Sequence, residues 1–224
     1  MVLEAGCHLL IEKPIAQTIE EAETLIDLAD RKGLCLSVGH IERFNPVIAR
    51  LHEIIRSKDC GELKSLVSKR VGPYPKQIKD MNVVIDLAVH DIDLFAFLLD
   101  RQPLHVSGHS GFANLDSHQD YASIFLDYGD LSGFIQASWI SPIRQRSLEL
   151  QFTEAYLEVD YVAQQIVKYT QDAQGDPHKE VIQISPLEPL KAELTHVLHC
   201  LDHPSESIIS GKVGLEALKV ALMV

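Results

Sequence analysis

Over the first forty residues the apolar positions fall into two short continuous runs with a helical stripe between them. Residues 7–12 (CHLLIE) read as one strand and residues 34–39 (LCLSVG) as a second, buried one. Between them Ala22, Leu25, Ile26 and Ala29 recur at helical spacing, Thr18 and Glu21 form a capping box at the start, and Gly33 is placed to end the helix. Strand, helix and strand in so short a span predict a βαβ unit with parallel strands. Asn45 and Pro46 then read as the N-cap and first position of a helix with Val47, Ile48, Leu51, Ile54 and Ile55 on one side.

Residues 63–71 (LKSLVSKRV) read as a strand, and 72–75 (GPYP) as irregular chain, because proline continues neither a ladder nor a helix. From Asn82 to about Leu99 the pattern predicts a helix apolar on most sides and therefore buried. Between Leu104 and Ile184 strand-like segments alternate with turn signals such as DYGDLSG (127–133) and DAQGDP (172–177), which predicts a largely antiparallel sheet. Helices return at about 187–202 and 212–223, and in the first of them Leu194, Val197, Leu198 and Leu201 are expected to form the apolar face.

Composition narrows the function. The 224 residues are 46% hydrophobic and 23% charged, enough for a sizeable core. No apolar run approaches the ~18 residues of a membrane span, and no basic segment followed by a cleavable apolar stretch opens the chain, so the expectation is a cytoplasmic protein with no membrane partner. A formal net charge of −12 and the lack of any basic block exclude a general attraction to nucleic acid. Cys7, Cys35, Cys60 and Cys200 form no C-x-x-C pair and read as reduced packing residues. His196, His199, Cys200 and His203 share helical spacing, yet the amphipathic pattern around them accounts for the segment, and no metal site is expected.

Candidate chemistry lies in two places. Glu12, Lys13 and Pro14 stand at the carboxyl end of the first strand, where ligands of open α/β sheets bind, and Pro14 restricts Lys13 to extended geometry. Asp86 and His90 are four residues apart, so on a helix their Cβ atoms lie ~6 Å apart on one face, placing a carboxylate to orient an imidazole. A helix otherwise apolar also needs partners for Asp91 and Asp93. Arg43 and Tyr74 are placed to reach a substrate; the competing readings are an ion pair and a loop anchor. Arg144 and Arg146 are open between a contact to a substrate phosphate and plain exposed strand positions.

Taken together, AGCHLLIEKPIAQTIEEAETLIDLADRKGLCLSVGHIERFNP and VVIDLAVHDIDLF, with SWISPIRQRSLEL and LEVDYVAQQI later in the chain, resemble the glucose-fructose oxidoreductase, inositol dehydrogenase and rhizopine-catabolism (Gfo/Idh/MocA) family of sugar dehydrogenases. The resemblance implies NAD or NADP as cofactor, with Glu12, Lys13 and Pro14 at the cofactor and Lys13 beside the nicotinamide and the reacting sugar carbon. It implies that His90 accepts the hydroxyl proton and that Asp86 orients His90. GHIERFNP and RVGPYP are most similar to members acting on nucleotide sugars, so the implied partner is a small-molecule sugar or nucleotide sugar, and the implied assembly is a homo-oligomer formed through the antiparallel sheet.

Two departures qualify the expected fold. None of the 12 glycines forms a G-x-G, the turn that seats a pyrophosphate at a helix N-terminus in complete members, and Asn82 stands where relatives commonly have glycine. The expected fold class is therefore α/β plus α+β. Residues 1–40 are a C-terminal remnant of a Rossmann dinucleotide-binding domain (its last βαβ portion). Residues 41–224 form a substrate-binding and oligomerisation α+β domain with an open-faced sheet, the terminal helix packing on the Rossmann part. A truncated dehydrogenase is the leading expectation, and a non-catalytic oligomerisation or binding module is the competitor from another class.

Overall fold

The computed structural model describes residues 2–75 and 81–224. β1 (Leu9–Ile11), α1 (Ile19–Lys32) and β2 (Leu36–Val38) form the parallel βαβ unit, with Leu9 opposite Leu36 and Ile11 opposite Val38. The capping box is present: Thr18 Oγ1 accepts from the Glu21 amide and Glu21 Oε2 from the Thr18 amide, both at 3.2 Å. Gly33 ends α1 at φ 63°, a left-handed position that glycine takes without steric cost. In α2 (Pro46–Ser57) the Asn45 side chain caps the Val47 amide, and Val47, Ile48, Leu51 and Ile54 are buried.

The main sheet has eight strands: β3 (Leu63–Pro73), β4 (His105–Gly111), β5 (Tyr121–Asp127), β6 (Ser132–Ser138), β7 (Ile140–Phe152), β8 (Tyr156–Asp160), β9 (Gln165–Gln171) and β10 (Pro177–Ile182). They lie in the order β10-β9-β8-β7-β3-β6-β5-β4, with β3 parallel to β6 and the remaining pairs antiparallel. One face is covered by helices. Leu66, Ile124, Ile135, Leu148 and Leu150 point into that core and meet Val89, Ile92 and Phe95 of α3 (Val89–Leu99). Gly133 allows the closest approach, since a Cβ there would stand 2.9 Å from the Phe95 ring.

Beyond α3 come α4 (Pro189–Asp202) and α5 (Gly211–Ala221). α5 serves both cores: Leu215 and Leu218 pack with Ala22, Ile26 and Val38 of the βαβ unit, while Ala217, Val220 and Ala221 join the sheet's core. Its Gly214 lies against β2, where a Cβ would come within 2.7 Å of Val38.

Three local expectations are corrected. Gly72 and Pro73 continue β3 rather than breaking it. Pro73 pairs with Ile140 past a register shift, where the missing amide donor interrupts no central ladder. The segment read as one helix from Asn82 begins instead with a π-turn, Val84–Ala88, and only then becomes α3; Asn82 Oδ1 accepts from the Ile85 amide at its start. α4 turns a different face inward: Leu194 and Leu198 are 45% and 66% exposed, whereas Glu193 and Cys200 are buried. The side of α4 carrying Glu193, His196 and Cys200 is the one against the 3-10 turn Ile41–Phe44, with the His196 ring 5.4 Å from that of Phe44. All four cysteines are free, and among the described residues no helix is long and apolar enough to cross a membrane.

Candidate functional site

Lys13 leaves β1 at its carboxyl end, followed by a cis peptide to Pro14. Its ammonium donates to Asp86 Oδ1 at 3.0 Å and to the Asp86 carbonyl at 2.6 Å, so the βαβ unit and the π-turn meet at this pair. π-turns inside helices are frequent at functional sites, because the extra residue re-aims side chains and carbonyls. Four residues on, His90 lies in the first turn of α3 with Nδ1 buried and without a hydrogen-bond partner. The expected Asp86–His90 contact is thus not made. The Asp86 carboxylate is taken by an ammonium, which outcompetes a neutral imidazole for it.

His90 is neutral for a physical reason: burial first, then the charges of Arg70 and Lys13, holds its pKa well below the ordinary histidine value. An imidazole without a proton on one nitrogen, beside a fixed ammonium, can accept a proton while the ammonium stabilises the oxygen left behind.

Beneath this pair lies a network absent from the sequence reading. Arg70, on β3, is fully buried and donates through Nε and Nη2 to Asp91 at 2.8 and 3.1 Å, and through Nη1 to Glu42 at 2.9 Å. Burial pulls the guanidinium pKa down, but the Asp91 charge and hydrogen bonds, then Glu42, raise it above its ordinary value, so Arg70 stays charged. Arg43 does the same work two residues further along α3. It forms a two-pronged pair with Asp93 at 2.7 and 2.8 Å, donates to the Ile208 carbonyl at 2.6 Å and lies 4.6 Å over the Phe97 ring. These bonds make Arg43 a tie between elements, the ion-pair reading of the sequence. Asp91 and Asp93, expected to need partners, have them.

His40, just past β2, is buried with neither ring nitrogen hydrogen-bonded, although Nδ1 stands 3.4 Å from Asp93 Oδ2. Burial depresses its pKa, more than Asp93 raises it. Glu193 on α4 is also buried, its Oε1 without a partner, and burial together with the charge of Glu12 pushes its pKa up to about 7. Glu12 itself is exposed and flanks Gly39, where a Cβ would meet Glu12 Oε2 at 3.0 Å. Tyr74 packs its ring edge-on to Trp139 at 5.4 Å, at the end of β3. Around the other histidines, Cys200 Sγ is 3.3 Å from His196 Nε2, and His199 pairs with Glu206 at 2.8 Å.

A signal for Arg70 was available. Leu66, Ser68 and Arg70 alternate on one face of β3, which puts an arginine on the same face as the core. Glu193 and His40 carried no such signal, as their burial depends on contacts remote in sequence.

Lys13 thus stands at the carboxyl end of a parallel strand, and its charge acts on the buried His90 of the helix that covers the mostly antiparallel sheet. The chain belongs to the GFO/IDH/MocA oxidoreductase family: residues 1–40 match the family model described as the oxidoreductase family, NAD-binding Rossmann fold, and residues 48–158 match the GFO/IDH/MocA C-terminal domain. It is 28% identical to the UDP-N-acetylglucosamine 3-dehydrogenase of Acidithiobacillus ferrooxidans over an alignment covering 100% of this chain and 72% of that enzyme. The solved structure of that enzyme superposes with a TM-score of 0.87 at 27% identity, over 99% of this chain and 71% of the other. A further relative is the NAD(+)-dependent scyllo-inositol 2-dehydrogenase of Bacillus subtilis, 26% identical over 62% of this chain and 44% of that enzyme. An inositol dehydrogenase homolog from Azotobacter vinelandii, solved with NADH and myo-inositol, shares the fold at TM-score 0.85 and 17% identity, over 99% of this chain and 69% of that one.

Proposed function

We propose that this chain acts as an NAD(P)-dependent dehydrogenase of a sugar, nucleotide sugar or polyol. The observation that carries the reading is the neutral, buried His90 beside the Lys13–Asp86 pair at the end of a parallel strand. The residues present fit the nicotinamide end of a cofactor: Glu12, Lys13 and Pro14 line the strand end, and the unpartnered nitrogens of His40 and His90 mark polar groups awaiting a ligand. A glycine-rich turn for the pyrophosphate is not among the 12 glycines.

Held at the strand end by Glu12, Lys13 and Pro14, a nicotinamide would supply the acceptor for the hydride of the carbinol carbon. His90 takes the hydroxyl proton as that hydride leaves, and Lys13 stabilises the oxygen on which negative charge grows. Asp86 acts through Lys13, fixing the ammonium by two hydrogen bonds rather than orienting His90. Residues 1–40 contribute the cofactor side of this site and residues 41–224 the substrate side.

Titrating NADH and NADPH into the purified chain, followed by nicotinamide fluorescence, tests the reading. Saturable binding is expected, and none up to millimolar cofactor overturns it. In that event the second reading is a non-catalytic module that assembles through its sheet. In either case we read the uncovered sheet face as the contact with a second copy. Phe125 and Phe134 are register partners on that face, 45% and 38% exposed. The expected mass in solution is a multiple of 25.0 kDa, reduced to the monomer by Phe125→Glu with Phe134→Glu; a wild-type monomer by light scattering removes the oligomer.

A further inference from the structure

Three arginines stand in a row on the helix-covered side of the sheet, beyond the end of its hydrophobic core. On β7 the residues Leu148, Leu150 and Phe152 are buried on that side, so Arg146 and Arg144, continuing the same alternation, face it too. On β3 the buried Leu66, Ser68 and Arg70 define the matching row. Arg70 and Arg146 are register partners, and the next position on β3 is Gly72, whose Cβ site lies 3.9 Å from Arg144 Cγ.

Their charges are not balanced alike. Arg70 is paired closely with two carboxylates, Asp91 and Glu42, at 2.8 and 2.9 Å. Arg146 has only a share of the Glu42 Oε1 that Arg70 already holds, at 3.8 Å, and Arg144 makes no ion pair or hydrogen bond with the described residues. Like charges directly opposite one another across a sheet are destabilising, and two guanidiniums without matching anions are retained against that cost. Burial and the neighbouring Arg70 lower the pKa of Arg146, the mark of a cation short of partners. The same Arg146 charge acts on His90, so the unmatched cations and the neutral imidazole belong to one locality.

The geometry points to Arg144 and Arg146 as the seat of a phosphoryl group on the substrate, which makes the substrate a phosphate-bearing sugar rather than a neutral sugar or polyol. A guanidinium presents a planar fork of donors that matches two phosphoryl oxygens at once, and two of them two residues apart on one strand face can hold a monophosphate or a diphosphate. Phosphate here relieves the Arg70–Arg146 repulsion, so binding corrects an imbalance built into the sheet. The inference rests on the dehydrogenase reading for its substrate, but it makes no use of the cofactor.

The test is equilibrium binding by calorimetry without cofactor, using UDP-N-acetylglucosamine, N-acetylglucosamine 1-phosphate and unphosphorylated N-acetylglucosamine. Wild-type protein is expected to bind at least one phosphorylated probe more tightly than the neutral sugar, with affinity falling as salt rises. Arg144→Gln with Arg146→Gln is expected to weaken that binding about tenfold to a hundredfold, leaving the neutral sugar unchanged. Arg144→Gln alone, at an exposed position, keeps the fold and should show part of the loss. Preference for the diphosphate or the monophosphate identifies the source of the phosphoryl group. Equal binding of neutral and phosphorylated probes, an unweakened double variant, or no binding of either phosphorylated probe at millimolar concentration each overturns the inference. Phosphorylated sugar bound while NADH and NADPH are not overturns the dehydrogenase reading alone.

Discussion

Replacing Arg70 with methionine is expected to lower the free energy of unfolding by about 3–5 kcal/mol, the usual cost of removing one partner of a buried ion pair. The side chain is fully buried, and so is Asp91, whose two oxygens depend on Arg70 Nε and Nη2. Methionine fills much of the volume and leaves Asp91 charged and dry, or protonated at a similar cost. Glu42 is less affected, because Arg146 can close the 3.8 Å gap to it. Urea denaturation reads the effect as a drop in midpoint at unchanged slope. Adding Asp91→Leu to Arg70→Met should recover most of the loss, since two apolar residues replacing a buried pair are close to neutral. A loss below about 1 kcal/mol for the single variant, or no recovery in the double one, means that the network does not hold β3 to α3.

That network also shows what the amino-acid pattern discloses. Local features were legible: the Thr18–Glu21 capping box, Gly33 at the end of α1 and the Asn45–Pro46 helix start each depend on residues within a few positions of one another. So was the need for partners at Asp91 and Asp93, because burying a carboxylate in an apolar helix is costly wherever it occurs. Their identity was not legible. Arg43 lies 50 positions from Asp93 and Arg70 lies 21 from Asp91, and nothing local separates an arginine aimed at a substrate from one aimed at a helix. The same limit applies to Asp86, assigned to His90 on helical spacing but bound by Lys13 across 73 residues. It applies to the parallel β3–β6 pair and to the inward face of α4 as well. At the site, short-range spacing singled out Asp86 and His90 and misjudged the pairing of Asp86, because pairing is decided by charge and by elements brought together only in the fold.

His90→Asn is expected to reduce kcat for the bound sugar by about 10²–10⁴ with the fold unchanged, the range a positioned general base contributes. Asparagine keeps much of the shape and polarity but cannot carry the proton. The pH dependence makes the assignment specific. Burial, Arg70 and Lys13 depress the His90 pKa, so the free imidazole persists well below the pH at which an exposed histidine protonates, and activity falls only on the acid side as the pH drops through that depressed value. Lys13→Met removes one of the depressing cations. It should therefore both slow turnover, by loss of the charge that stabilises the alkoxide, and move the acid limb upward. The same upward shift should appear without cofactor or substrate, as the titration of the His90 ring followed by NMR in wild type and Lys13→Met. A His90→Asn enzyme retaining more than about a tenth of wild-type kcat removes His90 as the base. An unmoved His90 titration in Lys13→Met removes the coupling between the strand-end ammonium and the helix imidazole, on which the proposed division of labour depends.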